Sequence, residues 1–529
     1  MSRLPRLLER DRTADVLAVP LLGVVQAAAL GIGAFATRDA FSALHSGQAP
    51  GLPILARLVA AGLIAAGAEF LARQRSEALG QSMARSIRHV LYSHLAGMDR
   101  REIASRRLGA LSLRFVGDLT AARNWFGQGL PRLASTAVVL PGAALVLWLL
   151  NPVLAAVAAI PLLLSLAVLL ALAFGLEARH RALRSRRAGI SIAMMERIAI
   201  SPDLDLLART GRELATLDED GAALRRNAVA RARRVGLLRL IPQAGAALAG
   251  AAMLRVAGSG AASPGETAAG LAVLGILMIP LRELADIWDR LCAWRVARQK
   301  ALSLLARPSH RREVRPQSRP IEVRLAGLML GRRQIEAVIP AGFMVRICGP
   351  RGSGKSRLGH LLAGLDRAGT DTILYDGQAS PLPRIVHVGD RPIVIQGSLR
   401  RALTLGISPR PQRREIEQAA RAFGLKRLMS RIDGLGGRIG EAARTASDGE
   451  ALRMDLTRAA LSRPDLAVID SARLLADPER DALLRTFRQM TDCTLFITGH
   501  PGDNIAWDMT IDLGDFPLLP RENANLFPV

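Results

Sequence analysis

The chain has 529 residues, 50% of them apolar, and a formal net charge of +25. That length is enough for two or more domains, and the apolar share calls for a membrane part. Only 4% of residues are aromatic, and no basic face with interleaved aromatics exists, which argues against a nucleic-acid partner. Three scattered cysteines, Cys292, Cys348 and Cys493, give neither a disulfide framework nor a metal-ligand spacing.

In chain order, the first half offers six apolar runs, at about 16–36, 52–71, 133–150, 153–175, 236–257 and 266–286. Each approaches the ~20 residues that a helix needs to span a bilayer. The third and fourth are separated only by Asn151-Pro152 and should form a tight helical hairpin. The fifth is rich in Ala and Gly and is expected to be broken at Pro242. Its small residues also suit close helix packing. The stretch Ala34-Phe35-Ala36 resembles a signal cleavage site. The apolar run before it exceeds the usual ~7–15 residues of such signals, so it reads as a retained span.

The N-terminus and the segments 72–132 and 177–235 are loaded with arginine, whereas 37–51, 151–152 and 258–265 together hold only Arg38. By the positive-inside pattern, the N-terminus and both long connections lie in the cytoplasm. The two connections read as helices that continue the membrane helices. Arg57 and Glu69 fall in or beside the second run. Each is expected near a span end, where a long side chain reaches water.

After the sixth run, residues 301–320 are rich in Pro, Ser and Arg and read as the connection, with the linker proper over 308–320. This divides the chain into a membrane domain, 1–307, and a soluble domain, 321–529, in which short β-branched runs alternate with amphipathic helices.

The soluble part carries GFMVRICGPRGSGKSRLGHLL, a phosphate-binding loop with a strand before it and a helix after it. Gly349, Gly352 and Gly354 let backbone N–H groups wrap phosphates, and Ser353 and Arg357 belong to the same turn. Lys355 reaches the outer phosphates and Ser356 can ligate Mg2+. The only other lysines are Lys300 and Lys426. Further on, LAVID ends a buried run in Asp470, a second candidate for Mg2+.

Six spans, a linker and a P-loop domain together resemble the type I exporter class of ABC transporters, in half-transporter form. The resemblance implies a polytopic α-helical membrane domain followed by an α/β ATP-binding domain, with ATP and Mg2+ as cofactors. It implies further site residues. Asp390 in VGDRP takes the place of a glutamine that touches Mg2+. ASDGE, Ala446 to Glu450, takes the place of the LSGGQ signature, in which Ser447 and Gly449 would hold the γ-phosphate bound to the opposite subunit. Asp448 replaces a glycine there. Asp477 belongs to the D-loop and His500 is the switch histidine.

Ser471 stands where the family has its catalytic glutamate. Loss of a general base typically costs ~10²–10⁴ in rate, so this chain is expected to hydrolyse ATP weakly or not at all at its own site. No Phe, Tyr or Trp occurs from Arg295 to Gly342, so the family's adenine-stacking aromatic is missing. The resemblance implies a plasma-membrane (inner-membrane) exporter subunit with a cytoplasmic nucleotide domain, acting with a second half-transporter. A heterodimer is favoured, since a homodimer would hold two impaired sites. A slowly hydrolysing homodimer and a non-pumping, nucleotide-responsive regulator are the alternatives. The aliphatic, aromatic-poor spans suit a lipid-like or small amphipathic cargo.

Overall fold

The computed structural model describes residues 4–9, 11–106, 111, 114–173, 176–369, 372–391, 393–440, 445–499 and 505–516. The chain forms two compact units, Met1–Leu95 with Arg106–Pro308, and Ala96–Ser105 with Ser309–Val529.

The first unit is helical: α1 (Thr13–His45), α2 (Leu52–Ala96), α3 (Arg114–Leu150), α4 (Pro152–Ala173), α5 (Leu176–Ala199), α6 (Thr210–Gly258) and α7 (Pro264–Leu305). Among the described residues, six helices (all of these except α5) are long and apolar enough to cross a membrane. Most run past the apolar stretches. The 45 residues of α2 rise roughly 68 Å at ~1.5 Å each, about twice a hydrocarbon core. Their outer faces stay apolar, with Leu52 81% and Ile160 72% exposed.

Between α3 and α4, Asn151 makes the sharp corner expected of the hairpin. Its Oδ1 accepts from the N–H groups of Val153 at 3.0 Å and Leu154 at 3.2 Å, capping α4. At Pro242 the expectation fails, because α6 runs unbroken through it. Pro20, Pro141, Pro161 and Pro280 likewise sit inside helices. A proline removes one ladder hydrogen bond, and neighbouring helices and local adjustment absorb that loss inside a bundle. The small residues of α6 do serve close packing on α4, since a Cβ at Gly245 would lie 1.9 Å from Ser165 Oγ. The capping box Ser263–Glu266 starts α7. That helix continues to Leu305, so the first part of the stretch read as a connection is helical.

Helices α1, α2, α3 and α7 enclose a cavity of about 390 Å³ whose lining includes Gln26, Glu69, Arg73, Arg132 and Glu283. Glu69 lines this cavity and forms an exposed pair with Arg73. Arg132 pairs with Glu283 at 3.1 Å. Arg57 pairs with Asp39 at 3.3 Å.

The second unit is built on a five-stranded, all-parallel sheet whose strands, in spatial order, are β10 (Met509–Asp512), β3 (Met344–Cys348), β9 (Thr494–Thr498), β8 (Leu466–Asp470) and β5 (Ile385–Gly389). Two short strands, β6 (Gly397–Ser398) and β7 (Arg438–Ile439), pair antiparallel with each other. Strand β8 reads Leu-Ala-Val-Ile-Asp with the four apolar residues buried, as a parallel strand covered on both faces requires. An antiparallel sheet, β2 (Arg333–Ile339), β1 (Val323–Leu330) and β4 (Ile373–Tyr375), shares a core of Ile335, Ile347, Leu358, Val468 and Phe496 with it. A separate helical core gathers Leu399, Ile416, Leu428 and Met454. In such sheets ligands bind beyond the carboxyl ends of the strands, which brings the residues after Cys348, Gly389, Asp470 and Thr498 to one edge.

The short helix Arg100–Ala104 belongs to this unit. The Arg100 N–H donates to Leu365 O at 3.0 Å, and the Arg101 N–H donates to Asp366 Oδ1 at 3.0 Å. Arg312 donates to the carbonyls of Ala96, Met98, Gly364 and Leu365, tying the two pieces of chain together.

Candidate nucleotide site

The phosphate loop leaves β3 at Cys348 and enters α8 (Lys355–Leu362). Gly349, Gly352 and Gly354 have φ of +138°, +79° and +99°, values that only glycine adopts without strain. At Gly354 a Cβ would also come 2.9 Å from Leu330. Lys355 Nζ folds back over the loop and donates to the carbonyls of Gly349 at 2.8 Å and Pro350 at 3.0 Å. Ser353 Oγ is buried without a hydrogen-bond partner, a polar atom that calls for one. Ser356 and Arg357 occupy the first turn of α8, where free N–H groups favour an anion.

Asp470 ends β8 beside α8: a Cβ at Gly359 would lie 3.8 Å from that of Asp470. Thr498, the last residue of β9, donates to Asp470 Oδ1 at 2.9 Å. The loop and the end of β8 therefore offer backbone N–H groups, an ammonium, a hydroxyl and a carboxylate at one edge of the sheet. That donor set fits a Mg2+–triphosphate, with Gly349, Gly352, Ser353, Gly354 and Lys355 toward phosphate and Ser356 and Asp470 toward the metal.

Ser471 is 2% exposed and caps the short helix Ala472–Ala476, its Oγ accepting from the Leu474 N–H. The same hydroxyl donates to Asp390 Oδ1 at 3.2 Å, which also accepts from the Ala472 N–H at 2.7 Å. Asp390, just past β5, is thus fastened to the residue after Asp470. Nearby, His387 on β5 is held neutral, its pKa lowered to about 4 by burial first and then by the charge of Arg100 and by His360.

At the start of α9 (Asp448–Leu461), Ser447 and Glu450 form a reciprocal capping box. Burial raises the Glu450 pKa, but the Ser447 N–H and Arg431 outweigh it and hold the carboxyl below its ordinary value. Asp448 is 84% exposed and pairs with Arg473 at 3.2 Å, so its charge is partly offset. Arg453 donates to Asp477 Oδ2 at 2.9 Å and to the Gly449 carbonyl at 3.3 Å, tying ASDGE to the turn after Ala476. His500 lies outside the described residues.

Residues 333–473 match the family model described as ABC transporter. The chain is 26% identical over 168 residues to antigen peptide transporter 2 of Rattus norvegicus, covering 30% of this chain and 24% of that protein. It is 27% identical over 248 residues to the fatty acid ABC transporter ATP-binding/permease protein of Mycobacterium bovis, covering 42% and 38%. The match thus spans well under half the length of these curated relatives. A solved structure of a bacterial Atm1-family ABC exporter with ATP bound superimposes with a TM-score of 0.78 at 19% identity, covering 96% of this chain and 95% of that one.

Residues 333–473 are an ABC transporter domain, and the chain as a whole has the fold of an ABC exporter. Its membrane helices and its nucleotide domain both follow that fold, and the P-loop lies within the matched segment. In this chain the loop residues and Asp470 converge on one edge of the sheet. Asp390 and Ser471 meet there, and Ser447, Gly449 and Asp477 gather around Arg453. Sequence reasoning missed the Arg473–Asp448 pair, the Thr498–Asp470 bond and the approach of His360 and His387 to Asp470. Arg473, two residues past Ser471, was the legible clue to the first. The other two depend on strand order, which no local pattern states.

Proposed function

We propose that this half-transporter is one subunit of an ATP-driven exporter in the plasma (inner) membrane. It binds Mg2+–ATP and couples closure of paired nucleotide domains to release of cargo. Bound Mg2+ would polarise the terminal phosphate. Lys355 and the loop N–H groups would orient the triphosphate, and Ser356 and Asp470 would hold the ion. Ser447 and Gly449 would face the nucleotide of the opposite subunit.

One observation carries the reading: an intact phosphate loop beside Asp470, followed by a buried serine engaged in helix capping. Binding groups are present and the customary base is absent, so hydrolysis at this chain's own site is weak. The favoured assembly is a heterodimer with a half-transporter that has an intact signature and catalytic glutamate. A slowly hydrolysing homodimer is the second reading, favoured by the Asp390 carboxylate held against Ser471. The cavity near Glu69 and Arg132, with charges of both signs, supports a small amphipathic cargo over a purely apolar one.

The test is the mass and composition of the complex extracted gently from native membranes. A second, intact half-transporter in stoichiometric amount is expected. A complex of this chain alone overturns the heterodimer.

A further inference from the structure

His360 on α8, His387 on β5 and Asp470 at the end of β8 each offer a potential ligand atom, all within 4.8 Å of one another. The two imidazole rings lie 5.3 Å apart, tilted by 56°. Nε2 of His387 is buried without a hydrogen-bond partner, which is uncommon enough to require a reason. The backbone leaves room for that ring: a Cβ at Gly389 would come 2.9 Å from His387 Cε1. On the other ring, Nδ1 of His360 lies 3.5 Å from Asp366 Oδ2. A carboxylate beside Nδ1 is the arrangement common behind imidazoles that bind a metal through Nε2.

We propose that His360, His387 and Asp470 form a binding site for a borderline transition-metal ion such as Zn2+. Two imidazoles and one carboxylate suit Zn2+, Ni2+ or Cu2+; Mg2+ prefers an all-oxygen set. Tetrahedral Zn2+ holds its ligands at ~2.0–2.2 Å, so ligand atoms lie roughly 3.4 Å apart. Side-chain rotations that draw the ligand atoms together by up to roughly 1.4 Å complete three ligands and leave a fourth position for water. Asp470 is common to this site and to the Mg2+–nucleotide site proposed above. On that reading, the transition metal takes the carboxylate from Mg2+ and weakens nucleotide binding, making the ATP site sensitive to zinc.

The test uses the full chain in detergent, without nucleotide, titrated with Co2+ as a spectroscopic probe. Saturable binding of one Co2+ per chain, displaced by Zn2+, is expected. His387→Gln and His360→Asn should each weaken it about tenfold or more. A fluorescent ATP analogue with Mg2+ should bind wild type and both variants alike without Zn2+, which also shows that the variants fold. Added Zn2+ should weaken analogue binding to wild type and leave both variants unaffected. Should His387→Gln fail to fold, His360→Asn carries the test alone. No saturable Co2+ binding, or equal Co2+ affinity in folded variants and wild type, overturns the proposal. Failure of the analogue to bind any form overturns the nucleotide reading and leaves the Co2+ result standing.

Discussion

Restoring a glutamate at position 471 is the most direct test of what the buried serine does. A positioned general base typically contributes ~10²–10⁴ in rate, so a simple replacement should raise ATP turnover by that much. The structure says otherwise for Ser471→Glu alone. The Ser471 hydroxyl lies 3.2 Å from the Asp390 carboxylate, so a glutamate there sets two carboxylates roughly 4 Å apart. At that distance the repulsion is about 1 kcal/mol in water and about 4 kcal/mol at the effective dielectric of a partly covered site. At ~1.4 kcal/mol per tenfold, this removes roughly five-fold to several hundred-fold of the gain. The single variant should therefore fall short of the full gain by roughly five-fold to several hundred-fold. The double variant Ser471→Glu/Asp390→Gln should gain the full ~10²–10⁴. Phosphate release by the purified full chain in lipid, with Lys355→Ala as the blank, reads both. A full gain from Ser471→Glu alone, with nothing added by Asp390→Gln, would refute the reasoning.

Lys355→Ala should abolish binding of a fluorescent ATP analogue, since Lys355 is the ammonium folded over the loop. Ser447→Ala removes half of a capping box and should lower stability by about 1 kcal/mol, read by thermal unfolding of the full chain. The Glu450 carboxyl is held below its ordinary pKa, so its contribution is present above the unfolded-state value and fades as pH falls through the folded one. Glu450→Gln should thus be less stable than wild type at neutral pH and match it in acid. Burial pushes the Cys493 thiol up to about 11, so at neutral pH it should resist maleimide until the chain is unfolded, which mass spectrometry of the labelled peptide reports.

The six spans were legible because a bilayer demands long apolar runs, and the P-loop because its chemistry is local, with Lys355 and its glycines consecutive. What the sequence hid was mostly non-local. Pro242 looked like a break because the cost of proline belongs to an isolated helix, whereas α6 packs closely on α4 next to it, at Gly245. Asp448 looked like a bare charge aimed at phosphate until Arg473, on a different helix, came within 3.2 Å. Asp390 and Ser471 are far apart in sequence and meet because β5 and β8 run side by side. The same pairing brings His387 level with Val468, two residues before Asp470.

The second unit is not one continuous length of chain. Residues 96–105 complete it, with Arg312, Leu365 and Asp366 reaching the backbone of that ten-residue piece. A gene cut at the linker would make a soluble fragment lacking that piece, with an arginine and a carboxylate facing solvent where they had backbone partners. Grafting the nucleotide half onto another membrane half would likewise need residues 96–105 carried along as a separate insert. For this chain, the exchangeable module is drawn by hydrogen bonds rather than by sequence order.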